Sequence, residues 1–155
     1  MISIKKVLHP TDFSDNSTDA LEYALSVCAW QKAELVLLHV CEMFEFAPPE
    51  YYMDEAEIAH QLKARLDAVK KMLDAKAAQY KDTVPAITTV AIGGKPCTEI
   101  LRYAEEQNVG MIVLGTHGRT GLAHFLIGST AERVVRMSPC PVLTIRAITP
   151  EDSKQ

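Results

Sequence analysis

Apolar residues fall into two alternating kinds of run along this chain. Short, near-continuous runs stand at Val7-Leu8 before His9-Pro10, at Glu34–Val40 (ELVLLHV), at Pro85–Ile92 (PAITTVAI), at Met111–Leu114 and at Pro141–Arg146 (PVLTIR). Runs of this length read as strands, and near-continuous apolarity suits strands covered on both faces, as in a parallel sheet. Between them the spacing changes to three and four. Leu21, Ala24, Leu25 and Cys28 form one stripe of a helix that starts in the cap-rich stretch Ser14–Ser17 and runs to about Trp30. Ile58, Leu62, Leu66, Val69, Leu73 and Ala77 continue the pattern over Asp54–Tyr80, the longest helix expected. Pro96 opens a third helix to about Gln107, with Ile100, Leu101 and Ala104 inward. A fourth starts at Gly128-Ser129-Thr130 and places Ala131, Val134, Val135 and Ser138 on one face.

Strand and helix alternate throughout, which calls for an α/β fold: an open five-stranded parallel sheet with helices on both faces. Right-handed crossovers leave few windings, and the order 3-2-1-4-5 with the first strand central is the one expected. The switch point then lies between the first and fourth strands, where ligands of open α/β sheets bind, beyond the C-terminal strand ends. Pro10-Thr11-Asp12 leaves the first strand there, and Gly115-Thr116-His117-Gly118 leaves the fourth. In this order the fifth strand, Pro141–Arg146, is an edge. Val142, Leu143 and Ile145 make it apolar, a pairing hazard unless covered, so we expect it to pair with its twin in a homodimer.

Composition narrows the class. The 155 residues suit one domain, taken here as 1–147, with a polar tail over 148–155. Apolar content of 48% and charged content of 23% are ordinary for a globular protein. A formal charge of -4 leaves no basic footprint for nucleic acid. The start, MISIKKVLHP, lacks the pattern of a signal peptide, and no apolar run reaches the ~18–20 residues of a membrane span, so a cytoplasmic location without membrane contact is expected. Cys28, Cys41, Cys97 and Cys140 have neither CxxC nor zinc-ligand spacing and read as small buried hydrophobes. His39, inside an apolar run, reads as a packed core histidine. Cys41–Met53 reads as a long connection.

The stretch Leu114–Pro141 carries the chemistry. A strand feeds Gly115, Gly118 and Gly121, and Gly128-Ser129-Thr130 then starts a helix. Glycines let backbone amides approach a ligand closely, and a helix N-terminus presents unpaired N–H groups with roughly half a positive charge, together a site for phosphate. His117 and Arg119 would add charge. Asp12 suits ribose hydroxyls or a divalent ion bridging phosphates, or else an Asx turn before the first helix. Val40, ending the second strand, would offer backbone groups to a base edge. Gly93-Gly94-Lys95-Pro96 is not a Walker A loop, since Pro follows the Gly-Lys and the leading glycine is missing.

The pattern Gly115-x2-Gly118-x9-Gly128-Ser129, followed by a helix and Ser138-Pro139-Cys140-Pro141-Val142-Leu143, resembles the ATP-binding branch of the universal stress protein family. KKVLHPTDFSDNS at the start and the ELVLLHV strand resemble it too, so the likeness covers about residues 2–147. It implies an adenine nucleotide alpha hydrolase-like fold and a homodimer binding ATP or AMP; by the Asp12 carboxylate reading above, Mg2+ would accompany the nucleotide. It also implies a stress-response sensor rather than a fast enzyme. By position, Pro10, Thr11 and Asp12 would face adenine and ribose, and Val40 the adenine edge. Gly115, His117, Gly118 and Arg119 would line ribose and phosphates, and Gly128, Ser129 and Thr130 would hold the phosphates. Gly110 stands where the family usually has Asp, which touches packing rather than binding. Two other readings remain open on the residues alone: a slow ATPase or nucleotide phosphohydrolase using Asp12 with His117 or Arg119, and a dimerising interaction module without nucleotide.

Overall fold

The structure, a computed structural model, describes residues 3–42, 54–116 and 127–146. Strands β1 (Lys6–Pro10), β2 (Glu34–Cys41), β3 (Ala86–Gly93), β4 (Met111–Gly115) and β5 (Val142–Ile145) alternate with helices α1 (Asp15–Gln31), α2 (Glu55–Ala78), α3 (Pro96–Glu106) and α4 (Ser129–Met137). The sheet has the order β3-β2-β1-β4-β5, and each neighbouring pair is parallel. This is the winding expected from the alternation, with β1 central and β5 at an edge. Among the described residues no helix is long and apolar enough to cross a membrane.

Side chains of a strand alternate between faces, and both faces of this sheet are packed. Val7, Leu35, Leu37 and Val113 meet α1 and α2, through Leu21, Ala24, Leu25 and Cys28 of α1 and Val69 and Leu73 of α2. Leu8, Val36, Leu38 and Ile112 meet Ile100 and Ala104 of α3 and Ala131 and Val134 of α4. Every one of these residues is under a tenth exposed.

Two stripes are shorter than their spacing suggests. In α2 only Val69 and Leu73 are buried, and Ile58 is 42% exposed. The 24-residue helix is about 36 Å long, whereas the eight residues of β3 span about 26 Å. The helix therefore overhangs the sheet. It runs antiparallel to the strands, so its N-terminal half projects past their C-terminal ends. In α4, Val135 is 48% exposed and does not share the buried face of Ala131 and Val134. This helix packs at the β5 edge of the sheet, where no further strand lies under its outer flank. Ser138 is the exit cap of α4 rather than a member of that face: its hydroxyl donates to the Cys140 carbonyl at 2.7 Å.

Of the cysteines, Cys28 and Cys41 are buried as expected, while Cys97 and Cys140 are half-buried at the edge of the second core. At Gly110 a Cβ would stand 3.2 Å from Ile4 Cγ2 and 3.4 Å from the Lys6 carbonyl oxygen. The close approach of the chain before β1 explains why a glycine is accommodated there.

Candidate functional site

The C-terminal ends of β1, β2 and β4, roofed by α3, α4 and the overhang of α2, enclose a cavity of about 430 Å³. The exit from β1 forms its floor. Thr11 N–H donates to the Leu38 carbonyl at 2.8 Å, and the Thr11 carbonyl accepts from His39 Nδ1 at 2.8 Å. Because a carbonyl only accepts, that nitrogen carries the His39 ring proton. Thr11 Oγ1 accepts from Ser17 Oγ at 2.7 Å and from Phe13 N–H at 3.1 Å. Asp12 Oδ1 accepts from Ser14 N–H at 3.0 Å and Ser14 Oγ at 2.6 Å, an Asx turn that hands over to Ser14 as N-cap of α1. Phe13 adopts φ 64, a left-handed conformation uncommon outside glycine, with its ring 5.0 Å from that of His39.

Below the floor lies a buried relay. His9, 1% exposed, donates from Nδ1 to the Val113 carbonyl at 2.9 Å, and its Nε2 stands 3.4 Å from Ser17 Oγ. Burial pushes its pKa down to about 4 against the raising effect of the Val113 bond, so the ring is neutral at pH 7.

Across the crevice, β4 ends at Gly115 against the first turn of α1. A Cβ there would meet Asn16 Nδ2 at 2.6 Å and the Asn16 carbonyl oxygen at 3.1 Å, so only glycine lets the two elements approach. Thr116 N–H donates to the Ile145 carbonyl at 2.9 Å, and its own carbonyl accepts from Gly128 N–H at 2.7 Å. This second bond brings the start of α4 back beside the end of β4. Gly128 caps α4 without a side-chain hydrogen bond, which leaves the first-turn N–H groups without a side-chain acceptor at the cavity wall. Gly128, Ser129, Thr130 and Ala131 all line the cavity.

The third wall is the end of β2. In a parallel strand the N–H and C=O of one residue point to the same side, and alternate residues face alternate neighbours. The Leu38 carbonyl faces β1, through Thr11, and the Cys41 carbonyl faces β3, through Gly94. The N–H and C=O of Val40 therefore turn toward β1, whose last pairing is Pro10 with Leu38. They open onto the crevice. Pro96 and Ile100 of α3 complete the apolar wall, and Glu42 and Arg65 stand at its rim. Among the described residues no group of three or more His, Cys, Asp or Glu is arranged to hold a metal ion.

Pro10, Thr11, Asp12, Val40, Gly115, Gly128, Ser129 and Thr130 thus line one cavity. His117, Gly118 and Arg119 lie outside the described residues. Thr116, expected at the switch point, lines it too, and the cavity adds Ser17, Pro96, Ile100, Glu42 and Arg65, which the sequence does not single out; His39, read as a core histidine, is both buried and in the wall. Arg65 lies off the apolar stripe of its helix, and only the mismatch between helix and strand length points it to the cavity.

The universal stress protein family model matches residues 3–146. The chain is 35% identical over 150 residues to the universal stress protein YxiE of Bacillus subtilis, covering 91% of this chain and 98% of that one. The solved structure of protein MJ0577, a universal stress protein of Methanocaldococcus jannaschii, is similar with a TM-score of 0.79 at 31% identity, covering 96% of this chain and 99% of that one. UspA of Lactobacillus plantarum gives 0.81 at 25% identity, covering 94% and 100%.

Proposed function

The chain belongs to the universal stress protein family, and we propose that it works there as a binder of an adenine nucleotide, ATP or AMP. In this reading it is a stress-response sensor or switch with little or no hydrolysis. The observation that carries the reading is the pairing of two unlike ends in one cavity. At one end the N-terminus of α4, whose Gly128 cap supplies no side-chain acceptor, suits the phosphates with Ser129 and Thr130. At the other, the Val40 N–H and C=O suit the acceptor and donor of the adenine edge, between the apolar faces of Leu38 and Ile100. Pro10, Thr11 and Asp12 stand between them, where a ribose would lie, with His117, Gly118 and Arg119 assigned to ribose and phosphates by family position. A magnesium ion would arrive with the phosphates, Asp12 supplying at most one ligand.

Two proteins of the same fold were solved with adenine nucleotides, one universal stress protein with cAMP and one from Arabidopsis thaliana with AMP. At 20% and 18% identity they speak for the fold alone, and the case for the ligand is this chain's own cavity. Calorimetric titration with ATP and AMP tests the reading. Saturable micromolar binding, about -8 kcal/mol, is expected, with product release under ATP and magnesium at or near background. No binding to either nucleotide would sink it, and turnover abolished by Asp12→Ala would turn the sensor into an enzyme.

The homodimer belongs to the same proposal. β5 is an edge strand with Val142 and Leu143 half-buried, and Val135 and Met137 stand exposed on the helix that packs against it. Light scattering should give twice the chain mass; a monomer at micromolar concentration would refute pairing through Pro141–Arg146.

A further inference from the structure

The overhang of α2 carries one side chain back over the cavity. Arg65 reaches from the helix to the end of β2, where its Nη1 donates to the Glu42 carbonyl at 3.3 Å, and both residues line the cavity. It is the only cationic side chain among the described residues of that lining. Its own helix gives it no acid to pair with: positions three and four away are Gln61, Leu62, Ala68 and Val69. Lys70, Arg102 and Arg136, by contrast, each pair along their helices with Asp74, with Glu99 and Glu106, and with Glu132.

Its place in the cavity says what it faces. β2 and β4 are separated by β1, so at about 4.8 Å per strand the β2 end stands about 10 Å from Gly115 and the start of α4. A group there does not reach phosphates seated on α4; it faces the nucleoside end. The guanidinium is planar and donates only, with five N–H groups, of which the Glu42 bond takes one. Such a group lies flat over an aromatic ring or donates to its ring nitrogens. Resting on the nucleotide reading above, we infer that Arg65 is a specificity-determining residue, held by the Glu42 carbonyl, that covers the base and selects a purine over a pyrimidine. In this reading the second ring of a purine reaches the rim where Arg65 stands, and a pyrimidine would end short of it.

The test compares wild type with Arg65→Ala and Arg65→Lys in titrations with adenosine, AMP, ATP and CTP. Arg65 is exposed on its helix, and alanine favours the helix, so the variants fold. Arg65→Ala should weaken adenosine, AMP and ATP by one common factor, about 2- to 30-fold, and leave CTP unchanged. Arg65→Lys should restore only part, since the planar fork is lost. A loss that grows from adenosine to ATP and fades in high salt would mean a phosphate contact and overturn the inference. So would an Arg65→Ala protein that binds all four as wild type does. If wild type binds none of the adenine ligands, the nucleotide reading itself fails; if wild type binds and Arg65→Ala is unaffected, only the role of Arg65 fails.

Discussion

His9 makes the stability of this protein depend on pH in a window that can be stated in advance. The ring is sealed between β1, β4 and α1, 1% exposed, with Nδ1–H on the Val113 carbonyl. Burial dominates its pKa, which falls from 6.5 to about 4. A group with a depressed folded pKa binds fewer protons in the native state than in the unfolded chain between those two values. Its contribution is therefore present in full above pH 6.5, shrinks as pH falls, and is gone below about pH 4. At 1.36 kcal/mol per unit the difference is worth about 3 kcal/mol. Carboxylates titrate in part of the same range, so the assay must subtract them. Urea denaturation of wild type and His9→Asn across pH 7 to pH 4 does this, since asparagine keeps an N–H donor near the Nδ1 position without an ionisable ring. His9→Asn should lose stability at pH 7, and the gap between the two proteins should close by about 3 kcal/mol toward pH 4. Parallel stability curves over that range would refute the reasoning.

Three further outcomes test other contacts. Gly115→Ala sets a Cβ 2.6 Å from Asn16 Nδ2 and 3.1 Å from the Asn16 carbonyl; because backbone must shift, a loss of about 1–3 kcal/mol is expected in urea melts, and an unchanged midpoint would contradict it. Ser14→Ala removes the N-cap bond to Ser17 N–H and the 2.6 Å bond to Asp12; about 1 kcal/mol should be lost, with a wild-type thermal midpoint as the failing result. Leu73→Ala, at a fully buried position, should cost about 2–5 kcal/mol, whereas Ile58→Ala on the overhang should stay within about 0.5 kcal/mol; equal effects would mean that α2 does not overhang the sheet.

The fold was legible because each strand is a short, apolar-rich run and each crossover helix has at least one stripe at helical spacing. Val36 and Leu38 face one core and Leu35 and Leu37 the other, as the reading of ELVLLHV as a strand covered on both sides requires. The errors share a cause. Spacing says which residues of a helix share a face, but not how far the sheet beneath extends. Ile58 and Val135 keep perfect spacing and are nevertheless exposed, one past the strand ends and one at the β5 edge. Burial there depends on lengths and neighbours that no single segment encodes.

The cavity divides along the same line. Gly115, Gly128, Ser129 and Thr130 reach the cavity through local backbone geometry, which residue type and spacing record directly. Arg65 reaches the cavity only because a 24-residue helix is laid over eight-residue strands, and the Val40 backbone opens onto it only because β1 stops at Pro10. What stops β1 there is the turn itself. Asp12 takes the Ser14 N–H and hydroxyl on Oδ1, Phe13 adopts its left-handed conformation, and α1 starts at Asp15. A left-handed phenylalanine costs on the order of 1–3 kcal/mol, offset by the Thr11, Asp12 and Ser14 bonds and by its contact with His39. The helix-leading turn of Asp12 and its place in the cavity lining are therefore not alternatives. The turn that starts α1 is what ends β1 early, and ending β1 early is what leaves the neighbouring strand's backbone facing the crevice that Asp12 lines.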